Sequence, residues 1–176
     1  TIRDWGQLTA YVMPAFRKRT FPGEDGRLRA PVLVAGDLAA FDQGEDNNGD
    51  VDFALRYSHY FGDWDVGLSF FRGASREPRL LFDADAGKLV PYYDDITQGG
   101  IDIQYTKGAW LWKFEGIVRD TPFETFAAAV GGVEYSFYGI TESGADLGVL
   151  IEFQYDGRSE DPLLAPTTVA DNDVMA

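Results

Sequence analysis

The stretch from residue 100 to residue 119 constrains this chain more than any other. Ile101, Ile103 and Tyr105 alternate with Asp102, Gln104 and Thr106, and Trp110, Trp112 and Phe114 alternate with Leu111, Lys113 and Glu115. A period of two sends successive side chains to opposite faces of a β-strand. Each run therefore predicts a strand with one face of large apolar groups and one of charged or polar groups. Thr106-Lys107-Gly108-Ala109 lies between the runs and supplies a tight turn whose glycine can take a positive φ, so the two strands are expected to form a hairpin. The apolar groups continue out to the strand ends. A sheet in water buries such a face in a core, whereas a barrel in a membrane turns it to lipid and keeps the charged face around an inner space.

Composition narrows the choice. The chain has 176 residues, 45% of them hydrophobic, which is enough for one domain with a core. Aromatic residues reach 15% and glycine occurs 20 times, a balance that favours an all-β protein with many turns. The net charge of −14 opposes a phosphate-binding surface, so no nucleic-acid partner is expected. Without cysteine there are no disulfides, thiolate metal sites or cysteine nucleophiles. No apolar run approaches the roughly 20 residues of a membrane-spanning helix, but a spanning strand needs only about 9–11 alternating residues. Thr1-Ile2-Arg3-Asp4 lacks the features of a signal peptide, which leaves either a cytoplasmic protein or a mature or partial chain.

Further strands are expected at 5–16, weakened by Pro14, and at 51–60, 64–72, 126–138 and 145–155. Between them lie a long segment at 17–50, whose stretch 31–41 is apolar enough to pack on something, and a second at 73–98. The latter is expected to form a small hairpin with its tip at Asp83-Ala84-Asp85-Ala86-Gly87. A polar tail follows from 156 to 176, with a further strand start at Val174-Met175-Ala176. The expected architecture is an antiparallel up-and-down meander of about seven strands plus the loop hairpin, forming a single β-barrel domain or part of one.

The connections are as informative as the strands. Three joins are short, at Gly62, at Lys107-Gly108 and at 139–144, and successive reversals put them all at one end of the sheet with the longer segments at the other. Short turns at one end and long loops at the other are the pattern of outer-membrane barrels. Trp5, Tyr57, Tyr60, Phe61, Trp64, Tyr105, Trp110, Trp112 and Tyr155 fall near strand ends, where interfacial aromatic girdles sit. The competing arrangement places them in the core of a soluble sandwich or a lipocalin-like barrel.

Residues capable of chemistry are sparse. The single histidine, His59, lies beside a short turn on the side of Phe53 and Tyr57, and no Gly-x-Ser-x-Gly elbow accompanies it, so no catalytic assembly is expected. Glu115 and Glu134 could meet across strands as a glycosidase pair, but a mixed-charge wall in which they face Lys113, Arg56 or Arg119 is the simpler expectation. Asp46, Asn48, Asp50 and Asp52 have the odd-position oxygen spacing of a calcium loop, yet Val51 stands where the sixth-position glycine belongs and Tyr57 where the twelfth-position glutamate belongs. An ordinary acidic loop is the default, and no metal or cofactor is expected.

Several segments resemble a family of largely uncharacterised outer-membrane β-barrel proteins of Gram-negative bacteria. They are Leu55-Arg56-Tyr57-Ser58-His59-Tyr60-Phe61-Gly62-Asp63-Trp64-Asp65-Val66-Gly67-Leu68, Arg76-Glu77-Pro78-Arg79, Tyr105-Thr106-Lys107-Gly108-Ala109-Trp110-Leu111-Trp112-Lys113 and Gly144-Ala145-Asp146-Leu147-Gly148. The resemblance implies an outer-membrane location, contact with lipid or lipopolysaccharide, and an internal piece of a longer barrel. It brings no catalytic motif. Read with the alternation, it leads to an expected porin-like passage for small solutes or ions, lined by Asp52, Arg56, Asp65, Asp102, Lys113, Glu115, Arg119, Glu134, Asp146 and Glu152 and favouring cations. The alternatives are a plugged structural or binding barrel and a soluble β-sandwich or lipocalin-like binding protein.

Overall fold

The computed structural model describes residues 5–27, 29–42 and 51–159, together with a short strand at Val174–Met175. It is all-β. Strands run at β1 (Gln7–Met13), β2 (Ala40–Phe41), β3 (Asp52–Phe61), β4 (Trp64–Ala74), β5 (Arg79–Asp83), β6 (Lys88–Tyr93), β7 (Asp95–Lys107), β8 (Trp110–Asp120), β9 (Thr125–Phe137), β10 (Leu147–Asp156) and β11 (Val174–Met175). One turn of 3-10 helix at Gly36–Leu38 precedes β2. Eight strands form one antiparallel sheet in the order β1-β3-β4-β7-β8-β9-β10-β11, and three form a second in the order β2-β6-β5.

The large sheet is the expected meander. The first strand stops at Met13 rather than residue 16, because Pro14 has no N–H to give the ladder. Gly62 and Gly108 close the β3–β4 and β7–β8 hairpins at φ 60° and 59°, a conformation costly for residues with a Cβ. These turns and the β9–β10 connection share one end of the sheet, and the longer connections share the other. The sheet is open: it ends at β1 on one side and at β11 on the other, and the described strands form no closed barrel.

The second sheet is built from the two long segments. β5 and β6 form the expected hairpin, while β2 adds to β6 in parallel, a pairing that alternation cannot foresee. Leu89 in β6 bonds the other segment through its N–H to Leu33 and its C=O to Ala35 (both 2.8 Å). Ala39, Phe41, Ala74 and Tyr93 are buried there with Phe16 packed against them, the rings of Phe16, Phe41 and Tyr93 lying about 5 Å apart. This cluster is the hydrophobic core cluster of the described residues; apart from Ala74 at the end of β4, its members lie in the long segments at the loop end of the large sheet.

Registers assign the faces of the large sheet without ambiguity. Leu55, Phe70 and Gly99 share one face, as do Tyr57, Leu68, Ile101 and Gly116, and Trp64, Tyr105, Trp112, Val133 and Ile151. The face is apolar across seven strands, and its large side chains are exposed: Leu8 70%, Phe53 51%, Trp112 50%, Val118 55% and Ile151 65%. Among the described residues no second layer covers it. On β8 it extends from Trp110 to Val118, and on β10 from Leu147 to Tyr155.

At the short-turn end this face carries a belt of rings. Tyr57, His59, Phe61, Trp64 and Tyr105 follow one another at centroid distances of 4.6–6.5 Å, and Trp112, Trp110, Tyr135 and Phe137 continue at 4.5–5.9 Å. The Phe61–Trp64, Trp64–Tyr105 and Trp110–Tyr135 contacts join neighbouring strands, and aromatic pairs of this kind each add about 0.5–1.5 kcal/mol beyond area burial. At the opposite end, the same face finishes with Arg72, Thr97, Asp120 and Thr125.

Candidate functional site: the polar face of the sheet

The other face follows from the same registers. Arg56, Asp65, Asp102, Gln104, Lys113, Glu115, Arg119, Glu134 and Glu152 all project from it. Eight of the ten expected lining residues therefore share one surface. Asp52 has the same strand parity but is buried at the loop end, where its carboxylate accepts the Ala74 N–H (3.1 Å) and pairs with Arg76. Asp146 lies in the β9–β10 turn and accepts the Gly139 N–H at 2.8 Å, which fixes the turn.

Small residues make room for the charges. Arg56 on β3 and Asp102 on β7 form a bidentate pair, 2.6 and 2.9 Å, across the intervening strand β4. They meet directly over Gly67, where an added Cβ would collide with both side chains. In the same way Gly100 leaves space for the Ser69 hydroxyl. On β9 Ala128 and Val130 floor a groove of about 610 Å³. Glu115 and Ile117 flank it on one side and Glu152, Gln154 and Asp156 on the other. A smaller depression continues it towards Leu111, Lys113 and Glu134.

Asp65, Asp102, Glu115, Glu134 and Glu152 occupy the middle and the short-turn half with Lys113 among them, while Arg119 and Arg158 stand at the loop end beside Asp156. Arg119 donates from Nε to Gln98 Oε1 at 2.8 Å, and Arg158 pairs with Asp156. The Asp156 carboxylate raises the pKa of the Arg158 guanidinium above its ordinary value, and Glu77 and Glu124 add to that. Arg79 pairs with Asp94 (2.6 Å) and lies 4.0 Å from the Phe123 ring, which ties the small sheet to the β8–β9 loop. Sequence reading missed the roles of Gln98, Gln154 and Arg158. The signal available for the last was the Asp156-Gly157-Arg158 sequence at a strand end, where the main chain turns the arginine back onto the carboxylate.

Other expectations can be placed too. Glu115 is opposite Val130 and Glu134 opposite Leu111, so these carboxylates are four positions apart in register and do not face each other as a catalytic pair. Arg56 takes Asp102 and Arg119 takes Gln98, rather than either glutamate. Asp46, Asn48 and Asp50 lie outside the described residues, and Asp52 is committed to Ala74 and Arg76. Among the described residues no group of three or more His, Asp or Glu side chains is arranged to hold a metal. Comparison with protein-family models, with curated proteins and with solved structures gave no match.

Proposed function

We propose that this chain forms wall of an outer-membrane β-barrel of porin-like type, whose polar face lines a passage for small solutes or ions. One observation carries the reading: a seven-strand face of large apolar side chains stands exposed, with the described core elsewhere. In water such a face would be an aggregation liability, because soluble monomers rarely expose contiguous apolar patches larger than a few hundred Å². In a bilayer it is the lipid contact, its length on β8 and β10 fits the about 9–11 residues of a tilted spanning strand, and the ring belt at the short-turn end suits the headgroup boundary. The sheet edges at β1 and β11 must then find strand partners, since unpaired edges are not tolerated in hydrocarbon.

The wall favours cations. Asp65, Glu115, Glu134 and Glu152 are opposed by Lys113 and Arg119, while Arg56 and Asp102 neutralise each other. The experiment is planar-bilayer conductance of the purified full-length protein in a salt gradient. Discrete, cation-selective openings are expected, and anion selectivity or an absence of conductance overturns the passage. A second reading, a plugged barrel whose loops bind a ligand, is favoured by the loop sheet with its own core and its tie from Arg79 to Phe123. Stable membrane insertion without conductance is the result that selects it.

A further inference from the structure

We infer that Arg17, Lys18, Arg19, Arg27 and Arg29 form a docking surface for phosphate-bearing lipid headgroups at the loop-side rim of the apolar face. In a chain of net charge −14, Arg17, Lys18, Arg19, Arg27 and Arg29 place five of its 15 basic residues in one short segment. Arg17, Arg19, Arg27 and Arg29 are exposed and make no ion pair with any described residue. Elsewhere Arg56, Arg76, Arg79 and Arg158 are each matched with an aspartate. A protein this acidic has carboxylates to spare, and these four guanidinium groups use none of those among the described residues.

The segment is held rather than loose. The Arg19 N–H donates to the Tyr93 hydroxyl at 2.7 Å, and the Lys18 Nζ lies 5.4 Å from the Phe41 ring centre and 3.5 Å from the Ala39 carbonyl, so the loop core anchors the main chain. Two successive turns, closed by Gly26 N–H to Gly23 O at 2.8 Å and Arg29 N–H to Gly26 O at 3.2 Å, fold the chain back. Glu24 and Asp25 fall at the tip and the arginines on the two legs. Arginine's planar fork matches phosphate oxygens two at a time and is more weakly hydrated than ammonium.

Position identifies the source of the phosphate. The segment begins just past Met13, where β1 ends after turning Leu8, Ala10 and Val12 outward. Val12 is level with Phe53 and Phe53 with Arg72, the residue at which the apolar run of β4 finishes. The leg that carries Arg17, Lys18 and Arg19 thus leaves the sheet where its apolar face stops. A lipid offers acyl chain to that face and phosphate just beyond it, so a single molecule meets both. A nucleic acid would meet the repulsion of the whole acidic chain, and a free phosphate gains nothing from the apolar rim.

The inference rests on the membrane reading, and the two fail differently. The test is native mass spectrometry of the full chain in detergent micelles doped with phosphatidic acid or with phosphatidylcholine. The protein is expected to retain phosphatidic acid at least about tenfold more, given roughly fivefold per basic residue near a charged surface. The variant R17Q/R19Q/R27Q/R29Q is expected to lose that preference, and E24Q/D25N to strengthen it, with 10 mM inorganic phosphate competing poorly. Equal retention of the two lipids by the unaltered protein, or a preference unchanged in the arginine variant, overturns the inference while insertion stands. A weaker preference in E24Q/D25N overturns it as well, and covers the case in which the fourfold variant does not fold. Failure of the chain to enter any bilayer overturns the membrane reading itself.

Discussion

Asp52 shows how one side chain can join two parts of the molecule. Its carboxylate, almost fully buried, lies against Gly73, whose φ of 145° and missing Cβ admit the oxygens. One oxygen accepts the Ala74 N–H and the other meets Arg76, so the start of β3 clamps the end of β4 and the loop beyond it. Replacing Asp52 with Ala orphans a buried N–H and the arginine. Because Arg76 is 43% exposed it regains some water, so the expected loss is about 2 kcal/mol rather than the 3–5 of a fully buried pair. Urea unfolding in micelles measures it, Asp52→Asn should recover part of it, and faster proteolysis at 75–78 is expected to accompany it; unchanged stability in the alanine variant would remove the clamp. The aspartate was visible in the sequence as a lining or calcium-loop residue, but its burial was not. That depends on a glycine 21 positions along the chain, which becomes its neighbour only when the strands pair.

At the scale of the strand, the two faces should answer the same substitution in opposite ways. Ile103 and Gln104 are adjacent on β7, opposite Val66 and Asp65 on β4 and Phe114 and Lys113 on β8. If the apolar face meets lipid, Ile103→Arg buries a charge in hydrocarbon near the middle of the wall, at a cost of about 2–4 kcal/mol. Gln104→Arg enters a polar surface beside Asp65 and should cost less than about 1 kcal/mol. Folding yield into bilayer vesicles at increasing urea separates them, and equal sensitivity would count against a lipid-facing side. This face assignment was readable from alternation, because hairpin neighbours with short turns hold their register and a slip of one residue would turn every side chain over. The pairing of β1 with β3 was not readable in the same way. The long segment between them leaves register free, and matching apolar faces set it.

The molecule as a whole contains two differently stabilised parts. The loop sheet has a buried cluster that takes in Ala74 from the end of β4, while the rest of the large sheet buries only Ile96 and Phe126 among its described hydrophobic residues and depends on what surrounds it. Tyr92 in the loop sheet reports on that part: burial, and then its hydrogen bond to Asp42, raises its pKa above the ordinary 10.0. A raised folded value means that the neutral phenol is favoured by folding. Its contribution is full below about pH 10 and is lost as pH climbs through the raised value. Alkaline titration should therefore loosen the loop sheet first, seen as loss of near-ultraviolet tyrosine ellipticity while far-ultraviolet strand signal persists; simultaneous loss of both would indicate a single unit. The sequence alone determined the long strands of the meander, their two unlike faces and the short-turn end, because a period of two and a tight glycine turn are local and leave the chain few choices. Only the tertiary structure decided that the long segments build a second sheet with the described core, that Arg56 reaches Asp102 across Gly67, and that the basic loop is held by its main chain at the rim. Those arrangements depend on contacts between residues far apart in the chain, which no local pattern encodes.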